Sequence, residues 1–175
     1  MAILGVDFFK AKMAGGGARP NLFQVTLNYP SFVAGNTEQA AFMVRAASLP
    51  GSTIPEMIVP FRGRQLKVAG DRTFEPWSTT IINDVDFQIR DNIEEWMNGM
   101  NEHRNNTGLT NVADYTANLK VEQLDKAGVV IKTYTFVDAF PTVLSPIDLA
   151  YDANDQIEEF VCDWSYQYWT SNTTS

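Results

Sequence analysis

A single change of hydrophobic period constrains this chain more than any other feature. From Val85 to Met100 the apolar residues Ile89, Ile93, Trp96, Met97 and Met100 recur at i, i+4, i+7, i+8 and i+11, one stripe of an amphipathic helix. Elsewhere the apolar residues alternate. Phe23, Val25, Leu27 and Tyr29 share one face of segment 21–29, and Tyr115, Ala117, Leu119 and Val121 one face of segment 115–124. Phe160, Cys162, Trp164, Tyr166 and Tyr168 do the same over segment 156–169. Such a sequence lays one helix across a β-rich layer, with the helix stripe facing the apolar side of the strands. The expected core is therefore Phe23, Val25, Leu27, Ile89, Ile93, Trp96, Leu119, Val121, Phe160 and Trp164. Asn83 or Asp84 is the expected helix cap, Gly99 its stop, and segment 101–111 a polar, mobile loop.

The remaining elements follow from turn chemistry. Segment 39–47 reads as a second strand. The block from Phe61 to Asp84 reads as strands 64–68 and 77–83 joined across Gly70-Asp71. Lys126-Ala127-Gly128 turns segment 115–137 into a long hairpin, and Pro141 and Pro146 end that pattern. Between the second strand and the central block, Pro50, Pro55 and Pro60 stiffen residues 49–60 into an exposed arm without sheet pairing. Ile54, Met57, Ile58 and Val59 give that arm apolar surface, which marks it as a contact. With 175 residues, 45% of them apolar, the chain supports one core. The expected organisation is a flexible segment 1–18 ending in Gly15-Gly16-Gly17, a single domain 19–169 and a polar tail 170–175.

No constellation for catalysis, metal or cofactor emerges. A formal net charge of −8 argues against a nucleic-acid grip, which concentrates Lys and Arg on one face. One cysteine, Cys162, allows no intrachain disulfide, and one histidine, His103, leaves no zinc cluster. Glu94-Glu95 and Glu158-Glu159 are adjacent pairs whose side chains diverge on a helix or strand. The run Asp152-Ala153-Asn154-Asp155 starts like a calcium loop but has Ile157 where the sharp turn needs glycine. No apolar run approaches the roughly 20 residues of a membrane helix. The reading is a non-enzyme, with no cofactor and no membrane partner.

Three stretches carry a family resemblance: Ala18-Arg19-Pro20-Asn21-Leu22-Phe23-Gln24-Val25, then Val68-Ala69-Gly70-Asp71-Arg72-Thr73-Phe74 with Trp77, Asn83 and Asp84, and the aromatic strand ending Tyr168-Trp169. In that order they resemble the tail tube (inner tube) protein of contractile-tailed bacteriophages. The resemblance implies a mainly β, α+β subunit: an antiparallel β-sandwich or split β-barrel with one flanking helix. Such subunits close into hexameric rings with a continuous inner β-barrel and stack into a tube inside a contractile sheath. It implies partners as well: other copies of the chain, the tail sheath protein, baseplate and tail terminator proteins, and double-stranded DNA passing without specific binding. Assembly in the host cytoplasm into the virion tail follows. Asp71 and Arg72 are then expected at an inter-subunit boundary, with a solvated turn as the alternative. The arm residues Ile54, Met57, Ile58 and Val59 are expected between stacked rings, the alternative being a lid on the same subunit. A related injection or secretion tube carrying proteins shares these expectations, and a small β-barrel ligand-binding module or enzyme is the more distant reading.

Overall fold

The computed structural model describes residues 6–174. In chain order its elements are α1 (Val6–Lys12), β1 (Phe23–Leu27), α2 (Thr37–Met43), β2 (Val44–Ala47), β3 (Glu56–Phe61), β4 (Arg64–Ala69) and β5 (Trp77–Ile82). They continue with α3 (Gln88–Met100), α4 (Val112–Tyr115), β6 (Ala117–Leu124), β7 (Val130–Leu144), β8 (Glu159–Ser165) and β9 (Tyr168–Ser171). All strand pairs are antiparallel; β3 and β4 pair only with each other, and the remaining strands form two sheets that share β7. The first half of β7 lies between β6 and β9, with β1 outside β6. Its second half pairs with β8, which leads on to β5 and β2. The strand changes sheet at Asp138, whose φ is +52° and whose backbone N–H is accepted by Asn118 Oδ1 at 3.2 Å.

The alternating faces meet α3 as the periodicities require. Ile89, Ile93 and Trp96 are buried against Val25, Leu27, Leu119, Val121, Phe160 and Trp164, while Phe23 lies half-buried beside them. Trp77, Ile81, Phe136 and Ala139 complete this centre, with Trp77 stacked on Phe136 at 4.3 Å between ring centroids. Each buried indole N–H has an acceptor. Trp96 donates to the Tyr115 carbonyl at 2.6 Å, Trp77 to the Ser48 carbonyl at 2.7 Å, and Trp164 to Thr79 Oγ1 at 2.9 Å. The three indoles therefore contribute their apolar area without an orphaned N–H, whereas the buried Tyr29 hydroxyl, edge-on to Trp96, has no hydrogen-bond partner among the described residues.

Several boundaries differ from the sequence expectations. Segment 39–47 is not one strand: Asn36 accepts from the backbone N–H groups of Glu38 and Gln39, and that cap starts a helix that gives way to strand only at Val44. Helix α3 starts at Gln88, because Asp84 and Phe87 form a turn first and Asp84 Oδ1 accepts from the Gln88 N–H at 3.3 Å. Gly99 lies inside α3 rather than ending it. A Cβ there would stand 2.5 Å from the Phe32 ring, so the residue serves close packing. Segment 101–111 is exposed yet internally bonded, with Glu102 N–H donating to the Thr107 carbonyl at 2.7 Å and Leu109 N–H to the Gly99 carbonyl at 3.0 Å. Strand β7 runs through Pro141, where its register on β8 slips, as proline in a strand requires. The expected last strand breaks after Ser165 into β8 and β9, and Thr170 and Ser171 of the polar tail belong to β9.

Candidate assembly surface

The largest correction concerns the central block. Strand β4 does not pair with β5 across Gly70-Asp71; it pairs with β3 across Arg62-Gly63, from Phe61↔Arg64 to Glu56↔Ala69. Both turn residues have positive φ, +46° and +79°, the backbone of a tight two-residue hairpin turn that glycine makes accessible at the second position. The arm is accordingly a β-ribbon over half its length. Pro60 fits because β3 pairs on one side only, so its missing N–H interrupts no second ladder.

The ribbon is rooted in the domain by polar and aromatic contacts at its base. Gly70 N–H donates to the Pro55 carbonyl at 2.7 Å, and Thr53 and Thr73 exchange backbone hydrogen bonds of 3.0 and 2.8 Å. Between those bonds Asp71 and Arg72 stand opposite Ile54 alone, a bulge that twists the ribbon where it leaves the body. Below it, Trp169 Nε1 donates to the Gly51 carbonyl at 3.1 Å and Tyr166 Oη to the Glu75 carbonyl at 2.8 Å, with Phe74 edge-on to Trp169. Burial, and then the neighbouring Glu75 carboxylate, push the Tyr166 hydroxyl above its ordinary pKa, so it stays a donor at neutral pH.

Beyond that base every residue of β3 and β4 is exposed. The register sorts them into two faces. Met57 and Val59 face Val68 and Leu66, and Phe61 faces Arg64 at the tip, so one face is apolar but for Arg64. The other carries Glu56, Ile58, Pro60, Gln65 and Lys67, with Lys67 Nζ 3.0 Å from Glu56 Oε1. Of the arm residues singled out from sequence, Met57 and Val59 lie together on the apolar face, Ile58 lies on the opposite one, and Ile54 stays at the base. Phe61, Leu66 and Val68 escaped that reading, although Leu66 and Val68 alternate with Gln65 and Lys67. Asp71 and Arg72 are exposed, and neither forms an intrachain ion pair among the described residues. A two-stranded ribbon with an exposed apolar face and free edges is marginal alone in water. Among the described residues no group of three or more His, Cys, Asp or Glu is placed to hold a metal, and no helix is long and apolar enough to cross a membrane.

The family model for phage tail tube protein matches residues 18–172, from the connector through β9. The chain belongs to the phage tail tube protein family. A tail tube protein of Serratia phage KSP90 is 32% identical, covering 92% of this chain and 93% of the relative. Tail tube protein gp19 of Enterobacteria phage T4 is 30% identical, covering 93% and 97%. The fold extends further than the sequence likeness. A chain of the anti-feeding prophage baseplate superposes with a TM-score of 0.66 at 13% identity, covering 89% of this tail tube family member and 95% of that chain. A chain from the sheath-tube complex of an extracellular contractile injection system gives 0.60 at 14% identity, covering 93% and 96%.

Proposed function

We propose that this virion protein assembles into hexameric rings whose strands close into one continuous β-barrel, and that the rings stack into the inner tube of a contractile tail, a conduit for DNA ejection. The observation that carries the reading is the exposed β3–β4 ribbon, a sheet fragment with an apolar face and free edges in a member of a tube-forming family. Pairing those edges with neighbouring copies removes them from solvent, and ring closure achieves this without limit on stacking. The ribbon supplies the contact between successive rings, and Asp71 or Arg72 pairs across a subunit boundary. The domain itself spans residues 19–169, with Thr170 and Ser171 added by β9.

Charge supports passage of DNA. Six copies at −8 each would carry roughly −48, a field that repels phosphate instead of holding it. Partners follow from the same reading: a sheath around the tube, and baseplate and terminator proteins at its ends, as in the assemblies that contain the structural neighbours. The phage reading leads over an injection-device tube because the sequence identity of about 30% lies with phage proteins. Assembly takes place in the host cytoplasm. Negative-stain microscopy of the purified full-length protein tests the proposal: rings and tubes of uniform diameter are expected, and persistent monomers at high concentration would refute it.

A further inference from the structure

Helix α1 carries an apolar face that is left exposed among the described residues. Val6, Phe9 and Met13 recur at i, i+3 and i+7, and are 46–69% exposed; Phe8 is also exposed. Asp7 lies in its first turn and Lys10 and Lys12 in its last, so the C-terminal end of the helix is basic on an acidic chain. A joint at Gly15–Gly17 ties it to the domain beside Leu124 and Ile131, at the start of β7. At the other end of β7, the connection to β8 forms a recess of about 340 Å³. Leu149 and Ile157 there are largely exposed, and Asp148 lies beside them in the lining. Asp152 stands in the same connection. No Lys or Arg follows Lys132 anywhere in the sequence, so nothing within that part of the chain neutralises these carboxylates.

The geometry points to a head-to-tail contact in which α1 of one subunit docks on the β7–β8 connection of a second copy, an inference that rests on the tube reading above. Chemistry matches on both counts: ammonium against the carboxylates of a mainly polar recess, and the apolar side chains of α1 against exposed Leu149 and Ile157. Reach selects the second copy over the same one. The fourteen steps of β7 put about 46 Å between the two ends, and about 33 Å even with a right-angle bend at Asp138. From Gly17 to Phe9 the tether spans about 22 Å only if residues 12–17 are pulled straight out of the turn they form. Donor and acceptor at opposite ends of one subunit make a heterologous contact, which propagates along an assembly instead of closing a dimer.

Paired cysteines test it, since Cys162 is buried and does not compete. In the variant Phe9→Cys/Leu149→Cys, oxidation of assembled tubes should give a reducible ladder of covalent dimers and higher multimers. Tubes that form without a cross-link, or with only an intrachain one, overturn the contact while leaving the tube reading intact. Failure of the unaltered protein to form tubes overturns both. A second variant needs no cysteine: Lys10→Glu/Lys12→Glu should cut tube yield several-fold at low salt, and adding Asp148→Lys/Asp152→Lys should restore it. Unchanged yield at low salt, or no restoration, refutes the docking.

Discussion

The apolar face of the β3–β4 ribbon can be made polar without breaking the ribbon, and this separates assembly from folding. Val59 and Leu66 are register partners, so Val59→Lys/Leu66→Glu places opposite charges directly across the ladder, where such a pair supports pairing. Net charge is unchanged. Met57, Val59, Phe61, Leu66 and Val68 retain between 41% and 67% of their exposure in the isolated subunit. Full burial of such a side chain stabilises by about 1.5–3 kcal/mol, so hiding the exposed half gains about 1 kcal/mol each and on the order of 5 kcal/mol per subunit for the face. Association costs reduce that figure, but repetition in every subunit makes it decisive. The double variant removes the two central members and should abolish stacking. Its thermal midpoint should stay within a few degrees of the parent, because no core residue is touched. Sedimentation and negative-stain microscopy read the assembly, and circular dichroism the fold. Long tubes from a folded variant would refute the stacking role; an unfolded monomer would show that the face packs on its own subunit.

Three further outcomes follow from the structure. Trp96→Ala removes a buried ring and strands the Tyr115 carbonyl, so denaturant titration should show a loss of about 3–5 kcal/mol. Arg72→Glu should weaken tube formation while leaving the melting curve unchanged, since the side chain is exposed and without an intrachain ion pair; unaltered tubes would mean a solvated bulge. Burial pushes the Tyr29 hydroxyl up to about 12 from an ordinary value near 10. Its contribution is therefore complete below pH 10 and is lost as pH rises towards 12, on the order of 2–3 kcal/mol, and Tyr29→Phe should remove that part of the alkaline loss in denaturation curves.

The core was legible because period is a local property that burial enforces. Val25, Leu27, Leu119, Val121, Phe160 and Trp164 show alternation, Ile89, Ile93 and Trp96 show the helical stripe, and both signals survive into the packed centre. Partnership was less legible. Gly70-Asp71 has turn composition, but Arg62-Gly63 is the turn, because the left-handed backbone of Arg62 leaves no mark in its side chain. Placing the turn eight residues late unpaired β3 and hid Leu66 and Val68 from the apolar face. Helix α2 was missed for the opposite reason: Asn36 ahead of Glu38 and Gln39 is a legible cap, but Phe42, Met43 and Val44 imitate a strand. The split of the last strand lies in the bend between the sheets, a tertiary demand with no local composition.

Strand β7 has a mechanical consequence. It belongs to both sheets, so a pull applied to one is carried to the other along consecutive peptide bonds, and the hydrogen bonds beside it are loaded only in shear. Sliding one sheet against the other would require breaking the β7–β8 ladder. The body of the subunit therefore behaves as a stiff block under tension, and the compliance of any assembly built from it resides in the ribbon, the glycine joint and the contacts they make.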